Sequence, residues 1–163
     1  MTGAVALVLA FCACGYRFAA PGGALPEGVR SVQAPVFDNR TGEPAAEILF
    51  TQAFRDQLTR AGNLGGEAAE ATVEGSLDGV AAGPILASVS TEGIAKLPTY
   101  RLTASVHLKL VKAGRVLSEA VVGGSEDYLS GADLLLTEAN RQAALRRLAE
   151  TMMREGYERL ASR

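Results

Sequence analysis

Tyr100-Arg101-Leu102-Thr103-Ala104-Ser105-Val106-His107-Leu108-Lys109-Leu110 decides the fold. Tyr100, Leu102, Ala104, Val106, Leu108 and Leu110 alternate with Arg101, Thr103, Ser105, His107 and Lys109. An apolar residue at every second position marks a β-strand with one face on a core and the other in water. Lys112-Ala113-Gly114-Arg115 follows as a hairpin turn, with Gly114 available for positive φ. The next strand, Val116 to about Tyr128, has apolar residues in both phases, so its pattern fixes no register; Gly123-Gly124 suggests a bulge. Upstream, Glu70 to Val80 alternates again, with Ala71, Val73 and Leu77 against Glu70, Thr72, Glu74, Ser76 and Asp78. These three strands form an antiparallel meander. The stretch 81–98 between the first two mixes Ile85, Leu86, Val89, Ile94 and Leu97 with Gly, Ser and Pro, and suits a long hairpin tip.

Helices flank the meander. Ala46, Leu49, Phe50, Ala53, Phe54, Leu58 and Ala61 share one stripe at helical spacing, with Thr51, Gln52, Arg55, Asp56 and Thr59 on the other side. Pro44 suits the first turn of this helix, and Gly62-Asn63 its end. Ser130-Gly131-Ala132-Asp133 opens a long final helix to about Leu160. Its buried stripe is Leu145, Leu148, Met152, Gly156 and Leu160, widened by Leu134 and Ala149; Gly156 there suggests a close approach to the sheet. Before the first helix, Arg30 to Phe37 reads as a strand that lies at an edge or ends at Pro35, because Pro35 cannot donate to a ladder. The fold expected is α+β, in the order β-α-β-β-β-α: one four-stranded, mostly antiparallel sheet with both helices packed on one face.

The N-terminus reads as an address. Ala4 to Phe11 is an unbroken apolar run with no charge before Arg17. Its length fits a secretory signal and falls short of a membrane-spanning helix. Ala13 supplies the small side chain that cleavage before Cys14 requires. The segment resembles the lipobox of bacterial lipoproteins, although Phe11 stands where Leu is usual. The expected division is a signal peptide over 1–13, a lipidated Cys14 with a Pro/Gly/Ala-rich tether over 14–28, and a single domain over 29–163. The alternative is a short buried N-terminal helix that is never cleaved.

Composition narrows the function. The 16 Lys and Arg nearly balance 18 Asp and Glu, giving a formal charge of −2 and no field that favours nucleic acid. Cleavage removes Cys12 and acylation consumes the Cys14 thiol, so one histidine and no thiol remain to hold a metal. No nucleophile-base, zinc or phosphate-loop spacing occurs, and no cofactor is implied. His107 reads as a surface histidine, and Glu126-Asp127 point to opposite faces of a strand. The chain is not expected to be an enzyme.

Cys14-Gly15-Tyr16-Arg17-Phe18, followed by Val32-Gln33-Ala34-Pro35-Val36-Phe37-Asp38-Asn39-Arg40-Thr41-Gly42-Glu43-Pro44, resembles the LptE family of outer-membrane lipoproteins. Tyr100-Arg101-Leu102, Ser125-Glu126-Asp127-Tyr128 and the order of elements are similar too. The resemblance implies lipid anchoring at the outer membrane, with the domain periplasmic or inside a barrel lumen. It implies an LptD-type β-barrel partner that this domain plugs, and assistance in inserting lipopolysaccharide into the outer leaflet. Asn39-Arg40-Thr41 has a plainer role open to it, as a turn that caps a helix. For the anionic lipid, the candidate contacts are Lys109, Lys112 and Arg115, with Arg101 farther along the same wet face. Glu70, Glu74 and Asp78 on the neighbouring strand could neutralise Arg101. A different class of function is a periplasm-facing lipoprotein that binds cell-wall polymer or scaffolds another envelope complex.

Overall fold

A computed structural model describes residues 25–85 and 98–162. The expected signal, Cys14 and the hairpin tip at 86–97 lie outside the described residues. The elements are β1 (Val32–Gln33), β2 (Asp38–Asn39), α1 (Ala46–Ala61), β3 (Ala71–Ile85), β4 (Thr99–Lys112), β5 (Arg115–Leu129) and α2 (Leu134–Ala161). The class is α+β, with β3, β4 and β5 forming the expected meander.

The expected first strand is broken into two short ones, which makes the sheet five-stranded. Both pair parallel to β3, Val32 with Ala71 and Asp38 with Ser76. Six residue steps therefore face five, and Pro35, without an N–H, sits in the surplus. The Phe37 N–H leaves the ladder and donates to Thr51 Oγ1 on α1 at 2.9 Å. The outer side of β1 is closed by the loop after α1, through Val32 N–H to Asn63 O and Gly65 N–H to Val32 O, both 2.8 Å.

The core lies between the sheet and the helices. Leu102, Val106, Leu108 and Leu110 are fully buried, as are Phe50, Phe54, Met153 and Leu160. Three glycines let the layers approach. A Cβ on Gly156 of α2 would come within 2.5 Å of Leu108, one on Gly124 within 2.9 Å of Leu148 and Met152, and one on Gly75 within 2.7 Å of the Phe37 ring. The close approach expected at Gly156 is present.

Several finer expectations are corrected. Gly123-Gly124 carries no bulge; the irregularities fall between Leu77 and Gly79 and between Leu110 and Val111. Gly124 instead makes room for α2. Leu134 is 82 % exposed and lies off the buried stripe of α2, which begins at Ala144. Thr51, placed on the wet side of α1 by periodicity, is buried. Pro44 precedes α1 rather than entering it. The last residues of the expected tether are packed: Leu25 and Val29 are buried on either side of a single 3-10 turn at Pro26–Gly28.

Candidate functional site

The helices cover one face of the sheet; the other carries Thr72, Glu74 and Ser76 of β3, Arg101 to Lys109 of β4 and Glu119 to Asp127 of β5 at every second position. Here His107 and several of the described charged side chains converge. Cross-strand register sets Glu74 beside Lys109 and Lys109 beside Glu119, with Ser76 beside His107 one row on. Arg40, just past β2, reaches over the same rows to Asp38 at 2.8 Å and Asp78 at 3.3 Å. Asp38, Arg40, Glu74, Ser76, His107 and Lys109 line a shallow groove of about 260 Å³.

The groove is electrically mixed. His107 Nε2 is bonded to Glu119, and Lys109 Nζ stands 3.9 Å from the same carboxylate. Ser76, His107 and Glu119 have the composition of a catalytic triad without its wiring. The Ser76 hydroxyl donates to Asp78 at 3.1 Å, not to His107, so the histidine is in no position to take its proton. Among the described residues no group of three or more His, Cys, Asp or Glu is arranged to hold a metal.

The four candidate lipid contacts do not form one cluster. Arg101 is bidentate to Asp127, at 2.7 and 2.9 Å, and that guanidinium holds the Asp127 carboxyl below its usual range. The partner is thus on β5; the β3 carboxylates lie elsewhere, because Arg101 is opposite Gly83. Arg115 binds Glu27 of the 3-10 turn at 2.6 and 2.7 Å, while Lys112 is 3.9 Å from Glu70. Lys109 and Lys112 are the loosely held pair; Arg101 is engaged by fork geometry, and Arg115 holds both Glu27 oxygens through Nη2 alone.

The Asn39-Arg40-Thr41 segment divides its labour. Asn39 donates to Glu43 O at 2.9 Å and to Glu47 at 2.6 Å, and its Oδ1 accepts from the Thr41 N–H and hydroxyl at 2.9 and 2.7 Å. This is an Asx turn that leads β2 into α1. Glu43 then meets Arg141 of α2 at 2.8 and 3.0 Å, and Arg141 also binds Glu138. Hydrogen bonds from Arg141 and Gln142 hold the Glu138 carboxyl at about 2. Asn39, Thr41 and Glu43 therefore organise the junction of three elements, and only Arg40 faces the groove. Nothing in the sequence pairs Glu43 with a residue 98 positions away.

A second surface is apolar. Leu134 and Leu135 are 82 % and 83 % exposed, beside half-exposed Leu136. They occupy the first turn of α2, whose N-cap is Asp133, accepting from Leu136 N–H at 2.8 Å. No helix among the described residues is long and apolar enough to cross a membrane.

A family model described as LptE, lipopolysaccharide-assembly, matches residues 29–160. No curated protein matches the chain. Among solved structures, one described as a lipoprotein from Caulobacter crescentus is similar at 17 % identity and a TM-score of 0.59, covering 82 % of this chain and 89 % of that one. A hypothetical protein from Chlamydia trachomatis is similar at 11 % identity and a TM-score of 0.55, with 80 % and 95 % covered. The PelC dodecamer from Paraburkholderia phytofirmans is similar at 14 % identity and a TM-score of 0.50, with 88 % and 95 % covered. At these identities the solved structures carry the fold alone.

Proposed function

The chain belongs to the LptE family of lipopolysaccharide assembly, and from that premise we propose that it is a non-catalytic outer-membrane lipoprotein that plugs an LptD-type β-barrel and assists lipopolysaccharide insertion. The observation that carries this reading is the extent of the family match. Among the described residues, 29–160 take in every strand, all of α1 and all but the last residue of α2. The surface is compatible with a plug. A wet, mixed-charge sheet face suits a water-filled lumen, and the exposed leucines at the start of α2 offer an apolar contact. Cys14 is the proposed site of acylation.

For the lipid itself, Lys109 and Lys112 are the leading contacts, because each is only 3.9 Å-paired and is released at little cost. Arg115 and Arg101 rank below them, since a phosphate must displace a bidentate carboxylate. The test is recovery of the lipoprotein from outer membranes under mild detergent. A very large β-barrel should accompany it in fixed proportion. Recovery with cell-wall polymer or another envelope complex, and no barrel, would assign the chain to the scaffold class instead.

A further inference from the structure

The two ends of the sheet differ. At one, the 3-10 turn at Pro26–Gly28 is held to the β4–β5 turn by Glu27 and Arg115, so the polypeptide enters the domain beside that turn. At the other, β5 stops at Leu129, which is 55 % exposed, and the first turn of α2 follows with Leu134, Leu135 and Leu136. Asn140 Nδ2 donates to the Leu129 carbonyl and the Gly131 N–H to Thr137 Oγ1, both at 2.9 Å, so the leucines are fixed at that end. From Arg115 to Leu129 the strand takes about fourteen steps of about 3.3 Å, which sets the two ends about 46 Å apart. Successive helix positions differ by about 100°, so the three leucines fan around the helix end. A flat wall cannot cover all of them at once; a socket can. The flanking charges are answered inside the fold: Asp133 accepts from the Leu136 N–H, Arg101 holds Asp127, and Arg141 lies between Glu43 and Glu138.

We propose that the domain stands in its barrel with the leucine end at the outer mouth, where the barrel's long outer loops form an apolar socket over Leu134, Leu135 and Leu136. The inference rests on the barrel reading and on an anchor at Cys14 in the inner leaflet, and adds which way round the plug stands and what its apolar end touches. Reach decides the direction. About eleven steps join Cys14 to Leu25, at most about 40 Å. With Leu25 at the inner mouth that span is ample, and the leucines, about 46 Å farther on, lie beyond a hydrocarbon core of about 30 Å. With the domain inverted, the same steps would have to cross the bilayer and its headgroups, about 40–45 Å, and still pass from lipid to lumen. The occupant follows from what a barrel offers. Its lumen wall is polar and its inner turns are short, whereas its outer loops are long. Only those loops have enough chain to enclose an apolar helix end.

The test is photo-crosslinking in cells that make the full-length lipoprotein together with its barrel. A benzophenone amino acid is placed at Leu135, or at half-exposed Val116 beside the β4–β5 turn. Leu135 should link to barrel segments that protease added to intact cells can cut, and Val116 only to segments that it cannot. Leu134→Glu with Leu135→Glu changes side chains that are 82 % and 83 % exposed, so melting of the purified lipoprotein should not change. The barrel recovered with that variant should fall about tenfold or more. Exchanged targets for the two positions would overturn the inference and leave the barrel reading standing. So would a Leu135 link only within this chain, for instance to the segment 86–97 that joins β3 to β4 at this end, or undiminished barrel recovery with the double variant. No barrel recovered with the parent protein would remove both readings.

Discussion

Thr51 shows what a single hydroxyl can hold. It accepts from the Phe37 N–H at 2.9 Å and donates to the Glu47 carbonyl at 2.6 Å. It thereby satisfies a donor that Pro35 has cut out of the sheet ladder. Thr51→Val keeps the shape and strands that buried N–H, which should cost about 1–3 kcal/mol in chemical denaturation. Thr51→Ser should recover most of the loss; equal stability of Thr51→Val and the parent would show that the hydroxyl carries none of this. Periodicity could not find the residue, because a hydropathy pattern counts any threonine as wet. The one available hint is its place directly after Phe50 on a narrow helix. Gly156 was legible for the opposite reason: a glycine on an otherwise apolar helical stripe costs about 1 kcal/mol against Ala and calls for a packing cause, which Leu108 supplies.

Among the elements, β4 could be read outright and β5 could not. Strict alternation fixes β4 from either end. On β5, Val116, Leu117, Val121 and Val122 satisfy both phases, and the register is decided by partners remote in sequence. Tyr128 stacks on Tyr100 with ring centroids 5.5 Å apart, Asp127 takes Arg101, and Glu126 turns to Arg147 of α2 at 2.6 Å. The start of α2 at Asp133 is legible, but Leu134 fits an amphipathic stripe without being buried, because the helix lies on the sheet only from Ala144 onward. Its earlier turns are tied to the β2–α1 junction by Arg141, between Glu43 and Glu138. Glu138 titrates at about 2 in the fold against an ordinary 4.5. A depressed carboxyl contributes stability that is present above its unfolded value and lost as pH falls through its folded one. Glu138→Gln should thus be less stable than the parent at neutral pH, with the gap closing between about 4.5 and about 2. The carboxylate is half exposed, so solvent screens the effect and the gap stays small. A gap that is constant across that range in pH-dependent melting would remove the Arg141 pair as its cause.

On the scale of the whole molecule, the described fold is already packed at Leu25: Leu25 and Val29 are buried and Glu27 is clamped by Arg115. Pro26 and Gly28 look like tether composition in the sequence, yet they form a docked turn. About eleven residue steps separate Cys14 from Leu25, a reach of at most about 40 Å. An anchor at Cys14 would therefore hold the domain near a membrane surface. Stable anchoring needs more than one acyl chain, so the native protein should begin at Cys14 and carry several chains in intact mass. Cys14→Ala should lose that mass and leave melting unchanged. It should also shift the protein from the membrane to the soluble fraction. Its association with a barrel should weaken without vanishing, because the tether supplies local concentration and not contacts. A native mass that begins elsewhere, or lacks lipid, would place the anchor at another residue or remove it.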